Sequence, residues 1–254
     1  MTPPRPGERP NKSAPRPSEA ETQSNRPGRR PAKPATQTSG RLFDDLAADD
    51  PAIMGIAEGA TLLRRFVASQ VGELLEAMDA ITAKAPFRHM ITPGGFRMSA
   101  AMSNCGDVGW VSDTSGYRYA PADPLSGLAW PPIPPPLLRV AHRAAEAGGF
   151  TSFEPDSCLI NRYEPGARLT LHQDRNESDF SQPIVSVSLG LSAVFLFGGL
   201  KRKDRPRRIR LESGDVVVWG GASRLAFHGV APLAGGVDAR TANGRINLTF
   251  RKAL

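Results

Sequence analysis

Residues 157–174, SCLINRYEPGARLTLHQD, hold two strand-like runs, SCLINRYE and RLTLHQD, parted by the turn residues Pro165 and Gly166. The pattern continues to the end of the chain with PIVSVSLG (183–190), AVFLFGG (193–199), RRIRLE (207–212), DVVVWGG (215–221), SRLAFHG (223–229) and RINLTFR (245–251). Short apolar runs broken by turn residues about every ten positions argue for an antiparallel sandwich or barrel, and against a parallel sheet with crossover helices. Helical spacing is confined to the upstream part. It occurs in SQVGELLEAMDAITAK (69–84), with Val71, Leu74, Leu75 and Met78 in step, and again over 137–147, with Leu138, Val140, Ala141 and Ala144. GATLLRRFV (59–67) suits a short strand, and Pro93, Gly94 and Gly95 mark a turn in a stretch suited to a hairpin (86–110). The expected fold is mainly β (α+β): a double-stranded β-helix, or jelly-roll, core with N-terminal helices bracing one sheet.

A chain of 254 residues, 40% of them hydrophobic, can bury a sizeable core. Its two cysteines, Cys105 and Cys158, form no CxxC spacing, so neither a disulfide framework nor a thiolate metal cluster is indicated. No run reaches the roughly 18 apolar residues of a membrane span, and no signal-like apolar stretch opens the sequence. A soluble, cytoplasmic monomer that makes no use of a membrane is expected.

The formal charge of +7 points toward a polyanionic partner. Most of it sits in residues 1–40, where eight Lys or Arg face three acids, giving +5. That segment also carries nine prolines and no apolar periodicity. It cannot bury enough surface to offset chain entropy, so a disordered basic tail is expected over 1–40 and a single folded domain over 41–254.

Within RLTLHQD, His172 and Asp174 stand two apart, and on a strand that spacing puts an imidazole and a carboxylate on one face. His228, at the end of SRLAFHG, is the candidate third ligand. Two His and one Asp leave half of an octahedron open, which is the facial triad of non-haem Fe(II) oxygenases; on ligand identity alone zinc is the alternative. RINLTFR places Arg245, Asn247, Thr249 and Arg251 on one face, opposite Ile246, Leu248 and Phe250. Two arginines on an inward face need anionic partners, and a small diacid would satisfy both bidentately. 2-Oxoglutarate is the diacid that accompanies this triad. Asn161 and Tyr163, again two apart, are candidate hydrogen-bond donors to it.

The runs NRYEPGARLTLHQD, LFGGLKRKD, GDVVVWGG with SRLAFHG, and RINLTFR together resemble the AlkB family of Fe(II)- and 2-oxoglutarate-dependent dealkylases that act on alkylated nucleic acid. The resemblance is strong over residues 85–254, loose over 41–84 and absent from the tail. It implies His172, Asp174 and His228 as iron ligands, Arg245 and Arg251 as partners of the 2-oxoglutarate carboxylates, and Asn161, Tyr163 and Asn247 as the rest of that pocket. It also implies an N-terminal extension over 41–84, a nucleotide-recognition lid over 85–135 and the jelly-roll core over 156–254. In the lid, CGDVGW and SGYRY match at Trp110 and Tyr117, which would stack on a flipped base and touch the strand. Arg202, within the basic run LKRKDRPRRIR, matches a substrate contact.

The implied reaction uses O2 and 2-oxoglutarate to oxidise an N-alkyl carbon, yielding succinate, CO2 and an aldehyde. The implied partner is alkylated single- or double-stranded DNA, or else RNA. One position departs from the family pattern. Asn176 stands where an acidic residue is usual near the amino edge of the base, which bears on the preference for cationic lesions. Glu177 is expected to face away if the strand continues. Two other readings stay open on sequence: the same iron chemistry applied to RNA or to a protein side chain, and a non-catalytic nucleic-acid-binding module.

Overall fold

The computed structural model describes residues 52–254; the tail expected over 1–40, and residues 41–51, lie outside the described residues. Seven antiparallel strands form the larger sheet. Their order is β1 (Ile53–Ala57), β2 (Ala60–Leu63), β11 (Val216–Trp219), β8 (Ile184–Gly190), β13 (Arg245–Arg251), β6 (Ser157–Tyr163) and β3 (Ala101–Gly106). A smaller sheet of four runs β10 (Arg207–Leu211), β9 (Ala193–Phe197), β12 (His228–Val230) and β7 (Leu169–His172). Strands β4 (Gly109–Asp113) and β5 (Gly116–Ala120) make a separate hairpin.

Strands β8 and β13 are buried along their whole length, which a sheet covered on both faces requires. The two-residue repeat divides their side chains cleanly. Val185, Val187, Leu189, Ile246, Leu248 and Phe250 pack beneath α1 (Val71–Thr82) and α2 (Pro135–Ala147), against Leu74, Met78, Leu137 and Val140. On the opposite face Ile184, Val217 and Trp219 meet Phe195, Phe197 and Val230 of the smaller sheet. This is the two-sheet core with bracing helices that the sequence indicates. α1 buries Val71, Leu74, Leu75, Met78 and Ile81 on one stripe, and α2 starts on Pro135, whose missing N–H costs nothing there. α2 ends at Gly148 against the sheet, where a Cβ would lie 2.7 Å from Val218 Cγ1. Among the described residues no helix is long and apolar enough to cross a membrane.

Two strands differ from expectation. SRLAFHG is not a strand from Ser223: a 3-10 turn covers Gly221–Ser223 and β12 begins only at His228. Turn and loop partners take the backbone groups instead: Ala226 N donates to Ser223 O and Phe227 N to Gly199 O, while Gln173 Nε2 donates to Leu225 O at 2.5 Å. RLTLHQD likewise leaves the strand after His172, so Asp174 sits on the following loop. Strand β1, without a clear signal in the sequence, exists because it pairs with β2.

The junction of β2 and β11 is held by Asp215, which is fully buried. It accepts from Arg64 Nη1 at 2.7 Å, Arg65 N at 2.8 Å and Glu212 N at 2.9 Å. Asp215→Ala strands the amides of Arg65 and Glu212 and removes the carboxylate partner of Arg64, and is expected to lower unfolding free energy by about 3 kcal/mol in urea titration, with an unchanged slope.

Candidate active site

In the smaller sheet His172 and His228 are direct register partners, so a single rung of the ladder brings the two imidazoles together, ring centroids 4.4 Å apart. Each ring is oriented by a carbonyl two residues earlier: His172 Nδ1 donates to Thr170 O at 2.9 Å, and His228 Nδ1 to Ala226 O at 3.0 Å. Both Nε2 lone pairs are left toward Asp174, whose oxygens lie 3.8 Å from His172 and 3.7 Å from His228. Ligand atoms of all three fall within 4.8 Å of one another. These separations are too long for hydrogen bonds and suit a cation shared among the donors. The two-nitrogen, one-oxygen set leaves further coordination positions open.

Burial, and then the neighbouring His172, push the His228 imidazole down to about 4, against the pull of Asp174. It is therefore neutral at pH 7, the form that ligates metals. Burial alone would raise Asp174, but Arg251, His228 and His172 hold it below the usual carboxylate range. Arg251 donates to Asp174 Oδ2 from Nε at 2.8 Å and from Nη2 at 2.7 Å, which leaves its buried Nη1 without a partner.

Arg245 is 1% exposed, lies over the Tyr163 ring and donates from Nη2 to Ser188 Oγ at 3.0 Å. Its Nε and Nη1, the Tyr163 hydroxyl and Asn161 Oδ1 are buried without partners. Among the described residues no carboxylate comes within ion-pair distance of Arg245, so a buried cation faces the cavity uncompensated. The orphaned donors, Arg245 Nε and Nη1 and the Tyr163 hydroxyl, are what a small dianion would satisfy. Asn247 also lines this space, though its amide is already engaged with Ser186, Val187 and Thr249.

Every candidate residue of the sequence reading lines one cavity of about 690 Å³. Trp110 and Tyr117, from β4 and β5, stack at its mouth with centroids 5.6 Å apart and planes 15° from parallel. The Trp110 indole N–H donates to Asn176 Oδ1 at 3.2 Å. Arg202 stands exposed at the rim, over the Phe227 ring.

Glu177 corrects the sequence reading. Because β7 stops at His172, strand parity does not reach it, and its side chain turns inward to 2% exposure. It accepts from the Tyr119 hydroxyl at 2.6 Å and pairs with Arg224 at 3.2 Å and Arg251 at 3.5 Å. Burial lifts the Tyr119 hydroxyl above its ordinary value; Arg251 opposes this and Glu177 adds to it. Tyr119 and Arg224 were also missed. An arginine inside the apolar SRLAFHG, which demands a buried carboxylate, was the available signal.

The family model described as the 2OG-Fe(II) oxygenase superfamily matches residues 59–251. The alpha-ketoglutarate-dependent dioxygenase AlkB of Escherichia coli is 51% identical over 210 residues, 82% of this chain and 97% of that protein. The DNA N(6)-methyladenine demethylase ALKBH1C of Arabidopsis thaliana is 36% identical over 174 residues, 58% of this chain and 38% of its own length. A solved structure titled "The structure of OsALKBH1" superposes with a TM-score of 0.67 at 29% identity, covering 79% of this chain and all of that one. With the His–Asp–His cluster in place and the match running through nearly all of the described residues, the chain belongs to the AlkB family of 2-oxoglutarate-dependent dioxygenases, whose cofactors are Fe(II), 2-oxoglutarate and O2.

Proposed function

We propose that this enzyme removes N-alkyl groups of the 1-methyladenine and 3-methylcytosine kind from DNA, single-stranded or duplex, in preference to RNA. The coarser reaction, oxidative dealkylation of nucleic-acid bases, is supported by its AlkB homologues. The observation that carries the reading is the adjacency of the His172–Asp174–His228 cluster to the uncompensated, fully buried Arg245 in one cavity that opens beneath paired aromatic rings.

In this reading His172, Asp174 and His228 hold Fe(II), while Arg245, Arg251, Asn161, Tyr163 and Asn247 hold 2-oxoglutarate. When bound, that pair supplies the oxidising power: O2 is consumed, 2-oxoglutarate becomes succinate and CO2, and the N-alkyl carbon leaves as an aldehyde. The chain's own part is placement. Arg251 keeps Asp174 ionised and fixed, and the carbonyls of Thr170 and Ala226 fix the imidazoles. Hairpin β4–β5 forms the lid, where a flipped base displaces one member of the Trp110–Tyr117 stack. Arg202 meets the phosphodiester backbone at the rim. The setting we propose is cytoplasmic and monomeric, the former supported by two buried free thiols.

Asn176 tunes lesion choice. Its Oδ1 is engaged by Trp110, so the amide offers the base mainly its Nδ2–H donors and no negative charge. Asn176→Asp is expected to raise turnover of cationic 1-methyladenine relative to neutral 1-methylguanine by roughly tenfold, about 1.4 kcal/mol, read as formaldehyde release from matched DNA and RNA oligonucleotides. An unchanged ratio would remove Asn176 from the base contact. Mn(II) is expected to raise the Tm of the native protein and not that of His172→Ala; equal shifts would place the metal elsewhere. Arg245→Met should raise KM for 2-oxoglutarate at least roughly tenfold, and a native KM would show that this guanidinium does not hold the co-substrate.

A further inference from the structure

The lid hairpin is tied to the centre by a chain of polar groups, of which Tyr119, Glu177 and Arg224 have no part in the reaction as described. Tyr119 lies on β5 directly across the ladder from Trp110 and two residues from Tyr117, so the face offered to a base also carries its hydroxyl. That hydroxyl donates to Glu177 Oε1 at 2.6 Å. The same oxygen lies 3.5 Å from Arg251 Nε, which in turn donates to Asp174 at 2.8 Å. Arg224 closes the set: it faces Glu177 at 3.2 Å, and its Nε and Nη1 donate to the carbonyls of Gln182 at 2.9 Å and Asp174 at 3.1 Å.

Glu177 thus has two claimants for one oxygen, a lid hydroxyl and the guanidinium that steadies Asp174. We infer that Tyr119 and Glu177 are positioning residues that couple the seating of the lid to the grip on 2-oxoglutarate. With the hairpin seated, Tyr119 occupies Glu177 and Arg251 stays on Asp174, its free Nη1 directed to the co-substrate carboxylate. With the hairpin raised, Glu177 loses that donor and draws Arg251 away from Asp174. A nucleic acid that holds the lid down therefore tightens co-substrate binding, and by linkage the co-substrate tightens the lid. This rests on the placement of 2-oxoglutarate at Arg245 and Arg251 proposed above.

The test is calorimetric titration of 2-oxoglutarate into the Mn(II)-loaded protein, where no turnover occurs. Tyr119→Phe, which deletes one oxygen, should weaken binding by roughly fivefold or more. Tyr119→Phe combined with Glu177→Gln, which removes the competing charge, should restore affinity to within about twofold of native. A methylated oligonucleotide should tighten 2-oxoglutarate binding to the native protein and leave Tyr119→Phe unaffected. Native affinity in Tyr119→Phe overturns the inference, and so does a double variant as weak as the single one. Both titrations read out without any oligonucleotide, so they decide the matter even if every lesion tested proves a non-substrate. Weak binding in all forms, native included, would instead count against the co-substrate pocket itself.

Discussion

The ion pair between Arg251 and Asp174 is the contact around which the site is organised. Arg251 is buried and Asp174 nearly so, and each would be costly alone, because desolvation of a charge in such a setting outweighs most of what any single neighbour returns. Paired through two guanidinium nitrogens, they fix one another. Arg251 ends β13, an interior strand of the larger sheet, while Asp174 follows an edge strand of the smaller one, so the pair spans the interior between the sheets. The orientation of the Asp174 carboxylate is in this way set by the larger sheet, while the imidazoles beside it are set by the smaller.

The rest of the interior follows from a change in character along one face. Near β11 and β9 the layer between sheets is aromatic and aliphatic, with Trp219, Phe195 and Phe197 in contact. Along β13 the same face becomes Arg245, Asn247, Thr249 and Arg251, and β8 answers with Ser186 and Ser188. A jelly roll closes fully where its inner faces are apolar and stays open where they are polar and incompletely paired. The cavity is the part of the core that protein groups alone do not satisfy.

Much of this was legible in the sequence because β13 and β8 are long, regular and covered on both faces, so a period of two assigns every side chain. The alternation in RINLTFR separated core from cavity, and the ligands, arginines and aromatic residues chosen from the sequence all line one space. Legibility failed where the ladder stopped. Asp174 was selected for sharing a strand face with His172, yet it reaches the site from a loop. Glu177 was turned outward by the same rule, one that no longer applied beyond His172. Tyr119 and Arg224 lie far from Glu177 along the chain, and a long-range pairing of charges leaves no local period to read. Strand β1 had no pattern of its own and is specified by the partner that precedes the Arg64–Asp215 junction.

Strand β7 is four residues long, β12 is three, and β7 lies at the free edge of its sheet. So short a ladder has few backbone bonds to hold its registration. A cation shared by His172 and His228 would span its last rung like a clasp on an open seam, joining the edge to the sheet. Metal occupancy and local order at this rim then become a single thermodynamic quantity. Release of an ion held there would then be coupled to fraying of an edge strand.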